Sequence, residues 1–239
     1  MLIEGDASAL EWRCASFLSQ DPVAYEEIWN NVDQHTDNQT RFGLPSRLIA
    51  KTFVFRLIYG GSAFSYANDP NFTAVSKSES FWQDVIDAFY KKYSGLAKWH
   101  KEVVADAMRD RQLIMPTGRI YKYEPELKYG RVKWPRTKIL NYPVQGLGAD
   151  LMAIARVSLS NRLKGKEGVK LINTVHDSII LDFDSKVWDN ISIVQLVDKC
   201  FTDVPLNFEK LFGVKFNLPM RVECQVGSDW GNMEIVNVN

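Results

Sequence analysis

Arg47, Lys51, Phe55 and Tyr59 stand at every fourth residue of the stretch 47–60. At about 3.6 residues per helical turn they fall on neighbouring turns of one slowly rotating face. That face offers two cations, then an aromatic ring, then a second ring bearing a hydroxyl, while Leu48, Ile49, Phe53, Leu57 and Ile58 spread over the other sides. Cations at one end and flat rings at the other match a nucleoside triphosphate, whose charge lies at one end and whose base and sugar lie at the other. An ordinary amphipathic helix with a solvated Arg and Lys and two core aromatics has the same spacing.

Two acids add chemistry. Leu2 and Ile3 read as the end of a short buried strand that delivers Asp6 just past Gly5, ahead of a helix with Leu10, Cys14, Phe17 and Leu18 inward and with Glu11 near the same mouth. An acid at a strand end faces solvent or a ligand; a helix N-cap from Asp6 or Ser8 is the plainer alternative. Farther on, two strand-like runs, 171–175 and 179–183, are separated only by His176-Asp177-Ser178. The hairpin tip so formed exposes an acid between two apolar strands, although turns also favour Asp for conformational reasons.

The elements that must position these groups follow from punctuation and period. Asp21-Pro22 precedes a short helix over 23–30, and His35 reads as a polar loop residue. Ser46 is the expected cap of the Arg47 helix, and Gly60-Gly61 its end. Ser76 and Glu79 have capping-box spacing and open a long helical tract striped by Trp82, Val85, Ile86, Phe89 and Tyr93. A bend at Ser94-Gly95 interrupts it before it runs on to about residue 111. Residues 115–135 lose helical period and read as a small antiparallel excursion. Arg119, Lys122, Lys128, Arg131, Lys133, Arg136 and Lys138 make this the most basic region, either a solvated loop or a contact to phosphate backbone. The segment 141–146 leads into a helix striped by Leu147, Leu151, Ala155, Leu159 and Leu163. A helix over 185–201 and a strand over 221–226 follow, and 227–230 closes the fold.

Composition bounds the rest. The 239 residues are 46% hydrophobic and 24% charged, which describes an ordered chain able to bury a real core. Lys plus Arg and Asp plus Glu both number 29, so any basic surface is local. Cys14, Cys200 and Cys224 lack metal or disulfide spacing and read as reduced thiols of a cytoplasmic protein, in a host bacterium's cytoplasm if phage-encoded. No signal peptide and no window of ~20 apolar residues is found, so no membrane partner is expected.

In order and kind these pieces resemble the motifs of the family A DNA polymerases. Asp6-Ala-Ser-Ala-Leu-Glu11-Trp-Arg13 resembles the first polymerase motif, Arg47-x3-Lys51-x3-Phe55-x3-Tyr59-Gly60 the second, and Val175-His176-Asp177-Ser178 the third. Asp33-Gln-His35, Tyr93-Ser-Gly95, Pro143-Val-Gln145-Gly146 and Val226-Gly-Ser-Asp-Trp230 fall in family order as well. The resemblance covers almost the whole chain.

It implies an α+β fold. A palm built on a small antiparallel sheet would take residues 1–21 and 136–239, with helical fingers and the basic excursion over 22–135. It also implies DNA synthesis by attack of a primer 3′-oxygen on a dNTP, with two Mg²⁺ ions, or Mn²⁺ in their place, held by Asp6, Asp177 and the backbone carbonyl of Ala7. His35, Arg47 and Lys51 would hold the outer phosphates, Lys51 also serving as proton donor to the leaving pyrophosphate. Phe55 would pack on the sugar, with poor use of dideoxynucleotides, and Glu11 would exclude a ribose 2′-hydroxyl. Tyr59 would stack beside the templating base. Asn141 and Gln145 would read the minor groove, His176 would meet the primer terminus, and Arg119 and Arg136 would contact DNA.

Three departures stand out. Ser178 replaces the usual third-motif Glu, so metal affinity is expected to change more than activity. Thr137 stands where the family has an arginine, with Arg136 beside it as substitute. Only five residues precede Asp6, so the expectation is the C-terminal part of a split, phage-like polymerase whose thumb, and optionally exonuclease, come from a separate polypeptide. The partners implied are primer-template DNA, dNTPs and that polypeptide. The readings from other classes are a catalytically silent nucleic-acid-binding module with the same fold, and an RNA polymerase or primase on a similar palm, which Glu11 argues against.

Overall fold

A computed structural model describes residues 1–128 and 130–236. In chain order the first elements are β1 (Leu2–Ala7), α1 (Leu10–Ser19), α2 (Pro22–Trp29), α3 (Gln34–Arg41) and α4 (Arg47–Ile58). Then come α5 (Ala63–Ala67), α6 (Pro70–Thr73), α7 (Glu79–Lys92) and α8 (Ser94–Asp110). Two hairpins follow, β2 (Gln112–Ile114) with β3 (Ile120–Lys122), and β4 (Glu126–Lys128) with β5 (Arg131–Lys133). The remainder is α9 (Arg136–Leu163), β6 (Val169–Val175), β7 (Ser178–Phe183), α10 (Asn190–Thr202), α11 (Val204–Phe212), β8 (Val222–Gly227) and β9 (Met233–Ile235). No described helix is long and apolar enough to cross a membrane.

The chain divides into two compact units, one of Met1–Leu10 with the chain from Leu147 onward, the other of Glu11–Gly146. The first is built on an antiparallel sheet in the order β6-β7-β1-β8-β9, so β1 lies at its centre with a neighbour on each side. Along β1, Ile3, Gly5 and Ala7 are buried, whereas Leu2, Glu4 and Asp6 alternate onto the more open face. Helix α10 packs against the buried face. A methyl group on Gly5 would come within 2.6 Å of Val197 Cγ1, so glycine is what allows the helix to approach the strand one residue before Asp6.

The second unit is helical, with the two hairpins appended. Its core is aromatic: Phe53, Tyr66, Phe72, Trp82, Phe89 and Tyr93 are all fully buried. Phe53, on the back of α4, lies 5.0 Å from the Tyr66 ring and 5.9 Å from that of Phe89. Anchoring that side leaves Arg47 and Lys51 exposed on the other. Asp21, fully buried, accepts from the amides of Val23 and Ala24 at the start of α2 and from those of Gly95 and Leu96 at the start of α8. One carboxylate thus caps two helices and fixes the bend expected at Ser94-Gly95.

The mixed helix and antiparallel-sheet class is as expected, while several elements differ from the sequence reading. The strand does not stop at Ile3 but continues through Ala7, placing Asp6 within the ladder. His35 belongs to a helix, α3, and is buried rather than a loop residue. The 141–146 segment lies inside α9, with Pro143 in the helix interior, instead of preceding it. Ser78, not the Ser76–Glu79 box, caps α7 by accepting from the Phe81 amide. Helix α10 begins after an Asp189 cap rather than at Ser185, and α11 and β9 lie where a link and a terminus were expected. The units part at 10/11 and 146/147, whereas the sequence reading put breaks at 21/22 and 135/136. Trp12 of α1 packs on Tyr93 at 5.0 Å, and Ile139 and Leu140 of α9 cluster with Val103, Val104, Ala107 and Tyr123.

Candidate active site

In the sheet unit the register does the positioning. Asp6 pairs across to Ser178 on β7 and to Glu223 on β8, and the Ala7 amide donates to the Asp177 carbonyl at 3.0 Å. Val175 pairs with Ser178, so only His176 and Asp177 form the turn. His176 takes a left-handed φ of 52°, a conformation two-residue hairpins demand and one that costs a side-chain-bearing residue roughly 1 kcal/mol. Strain of this kind persists where the surroundings fix it, and here it sets Asp177 beside the central strand.

The electrostatics of this edge are uncompensated. Burial, chiefly, and then the Asp177 charge push the Asp6 carboxyl above its ordinary pKa, with Glu4 and Glu223 adding to the effect. The Ser178 hydroxyl opposes them by donating to Asp6 Oδ2 at 3.0 Å. Neither Asp6 nor Asp177 has a Lys or Arg partner among the described residues. Among those residues, too, no group of three or more His, Cys, Asp and Glu side chains is arranged to hold a metal. Two carboxylates that repel each other, Asp6 in the central strand and Asp177 in the adjoining turn, are nonetheless hard oxygen donors of the kind a divalent cation takes, and such an ion needs few protein ligands.

In the helical unit Ser46 caps α4 by accepting from the Ile49 amide. Arg47 forms a two-pronged ion pair with Asp33, Nε to Oδ2 at 2.7 Å and Nη2 to Oδ1 at 3.2 Å. Lys51 Nζ lies 5.8 Å from the centre of the Phe55 ring, and that ring lies 5.8 Å from His35. His35 is 6% exposed. Burial, then the nearby Arg47 and, more weakly, Lys51 charges lower its pKa to about 4, so the ring is neutral near pH 7. The expected phosphate-end residues His35, Arg47 and Lys51 and the expected sugar-packing Phe55 therefore form one cluster.

A second cluster joins three more expected residues. Gln145 Nε2 donates to the Tyr59 hydroxyl at 2.5 Å and to Glu11 Oε1 at 3.3 Å. Burial, aided by the Glu11 charge, raises the Tyr59 phenol well above its usual range, so it stays protonated. Arg119, Arg136 and Asn141 are not drawn into either cluster. Arg119 is exposed before β3, Arg136 is the exposed first residue of α9, and Asn141 is half-buried within that helix. Sequence reasoning gave no role to Asp33, whose N-cap position before His35 was its only local signal, nor any contact to Ser178.

The sequence profile of DNA polymerase family A matches residues 1–232. This chain belongs to DNA polymerase family A. It is 27% identical over 243 residues to the thermostable DNA polymerase I of Thermus aquaticus, an alignment covering 96% of this chain and 27% of that protein. DNA polymerase I of Lactococcus lactis subsp. lactis is 24% identical, with 96% and 26% covered. The chain thus spans about a quarter of the length of these curated relatives. Its fold is similar to that of the POL domain of Pol1 from M. smegmatis, solved in complex with DNA primer-template and dNTP. The TM-score is 0.74 at 19% identity, covering 96% of this chain and 40% of that one.

Proposed function

We propose that this chain carries out template-directed DNA synthesis, transferring the nucleotidyl group of a dNTP to a primer 3′-hydroxyl. The observation that carries the reading is the β1–β7 register, which sets Asp6 against the Asp177 turn with no Lys or Arg among the described residues paired to either. Divalent ions, Mg²⁺ or Mn²⁺, held by Asp6, Asp177 and the Ala7 carbonyl, would supply charge stabilisation at the attacking and leaving oxygens.

The rest is done by side chains of the chain itself. Arg47, Lys51 and His35 hold the β and γ phosphates, and Lys51 gives its proton to the departing pyrophosphate. Phe55 packs on the sugar. Glu11, held by Gln145, blocks the space a ribose 2′-hydroxyl would need, so deoxynucleotides are selected. Tyr59 stacks by the templating base, Asn141 and Gln145 sense minor-groove acceptors common to all correct pairs, and His176 meets the primer end. Arg119 and Arg136 contact phosphates. In this reading the sheet unit is the palm and the helical unit the fingers.

Affinity for duplex DNA comes mostly from many phosphate contacts. We therefore pair this chain functionally with a thumb-bearing portion, carried on the same polypeptide or, as in a split and phage-like enzyme, on a separate one. Primer extension with Mg²⁺ in the presence of such a portion tests the proposal, comparing the parent with Asp177→Ala and offering dNTPs and rNTPs side by side. Extension with dNTPs that Asp177→Ala reduces at least about 10³-fold is expected. Equal extension by both proteins, or none by the parent, refutes it.

A further inference from the structure

The Asp33 carboxylate accepts five hydrogen bonds. It receives the amides of His35 and Thr36 at 3.1 and 3.3 Å, the Thr36 hydroxyl at 2.8 Å, and two guanidinium N–H groups of Arg47. Capping α3 needs only the first two. As a contribution to stability the Arg47 pair is modest, because both side chains are about half exposed, at 54% and 46%, and ion pairs of that kind give about 0–1 kcal/mol. What the pair supplies is geometry.

A guanidinium has five N–H donors in a fixed plane. Asp33 engages Nε–H and one N–H of Nη2. The end-on edge, formed by the second N–H of Nη2 and one N–H of Nη1, has no acceptor among the described residues and is left for an external anion. Through α3 the same carboxylate also fixes the backbone of His35, whose ring lies 5.8 Å from Phe55. One acid therefore ties together the placement of two of the three groups that the proposed function assigns to the outer phosphates. We infer that Asp33 is a positioning residue: it holds Arg47 with its free edge turned to the triphosphate and sets that edge relative to His35. This rests on the nucleotide-site reading above.

The opposite role is also chemically distinct. A carboxylate on a phosphate-binding Arg could act as an internal competitor, in which case removing its charge would tighten nucleotide binding. A positioned fork predicts weaker binding.

Asp33→Asn and Asp33→Ser separate the two roles, because both retain an N-cap oxygen for α3 while losing the charge. The 239-residue chain is titrated calorimetrically with Mg²⁺-dATP, alone and in an Arg47→Lys background, which keeps the charge but not the fork. Both Asp33 variants should raise Kd about fivefold, with thermal melting close to the parent's, and should change Kd less than about twofold once Arg47 is Lys. The ¹⁵Nε–H resonance of Arg47 should lose its slow solvent exchange in each Asp33 variant, a signature that a purely capping role would leave unmoved. Tighter or unchanged dATP binding in the Asp33 variants, while Arg47→Lys weakens it, overturns the inference and leaves the nucleotide site standing. Parent protein that does not bind dATP, or binding indifferent to Arg47→Lys, removes both.

Discussion

In the sheet unit Asp6 sits among Asp177, Glu4 and Glu223, and the Ser178 hydroxyl opposes their effect. In the helical unit Arg47 is matched by Asp33, and the buried Lys92 by Glu27 at 2.7 Å and Asp37 at 2.6 Å. One region leaves its like charges unbalanced at a backbone-fixed edge, and the other matches Arg47 and Lys92 with carboxylates on neighbouring side chains. A rigid acidic edge can be completed only by cations from outside, whereas a paired cation can serve an incoming anion by sharing donors. The first arrangement suits metal-assisted chemistry, the second substrate capture.

If that contrast is real, damage to the two regions should be unequal. Asp6→Asn keeps the Ser178 contact but removes half of the paired charge. It should lower kcat/KM for single-nucleotide incorporation about 10³-fold, equivalent to about 4 kcal/mol of transition-state stabilisation. On the proposed function Lys51→Ala would remove a phosphate contact and a proton donor that water can partly replace, and should cost about 10²-fold. Single-turnover incorporation measured on both variants checks the order. A larger loss from Lys51→Ala would mean that the helical cluster, not the acidic edge, dominates the chemistry.

Acid should drive the two regions in opposite directions. His35 and His100, both buried in the helical unit, have folded pKa values near 4 against an ordinary 6.5. Between those values the unfolded chain binds more protons than the folded one, so stability in this unit falls as pH drops from about 6.5 toward 4. Asp33 and Asp37 have lowered pKa values and extend the loss below the ordinary carboxylate range. Asp6 and Asp198 in the sheet unit are raised, chiefly by burial. Their folded forms bind more protons than the unfolded chain, so the sheet unit gains stability as pH falls through their folded pKa values. Hydrogen exchange at pH 7 and pH 5, corrected for intrinsic rates, should show α3 and α8 losing protection relative to β1 and β7. Uniform loss across both units would contradict the contrast.

How much of this was legible in the sequence depended on whether an element advertises itself by period. The α4 face, the Ser46 cap, the Ser94-Gly95 bend and the acid at the hairpin tip all rest on local spacing, and spacing is what a sequence displays. Helix α3 reads Gln-His-Thr-Asp-Asn-Gln-Thr-Arg, with no apolar stripe; it buries Gln34, His35 and Asn38, and Asn38 accepts from the distant Lys92 and Tyr93. Pro143 hid the first half of α9, since a proline normally ends a helix, and here the packing of Ile139 and Leu140 overrides it. The unit boundaries fall inside α1 and α9, where no loop composition marks them. Asp33 and Ser178 act through partners 14 and 172 residues away, a distance that no periodicity encodes.

The smallest expected effect sharpens the comparison most. Ser178 is 5% exposed, and its hydroxyl lowers the Asp6 pKa against burial and the charges of Asp177, Glu4 and Glu223, which raise it. Ser178→Ala removes the hydrogen bond without adding bulk, so Asp6 should shift further upward and hold its proton to higher pH. The acidic limb of the pH–rate profile should therefore move up. The Mg²⁺ concentration for half-maximal incorporation should rise about fivefold, the equivalent of about 1 kcal/mol for one lost hydrogen bond. At saturating Mg²⁺ and pH 8, where on the proposed function the metal rather than the hydroxyl would hold Asp6 ionised, the variant should match the parent. A defect that persists there would mean that Ser178 sets the direction of the carboxylate rather than its charge, and the acidic edge would then be organised by side-chain geometry, as the Asp33–Arg47 pair organises the cationic one.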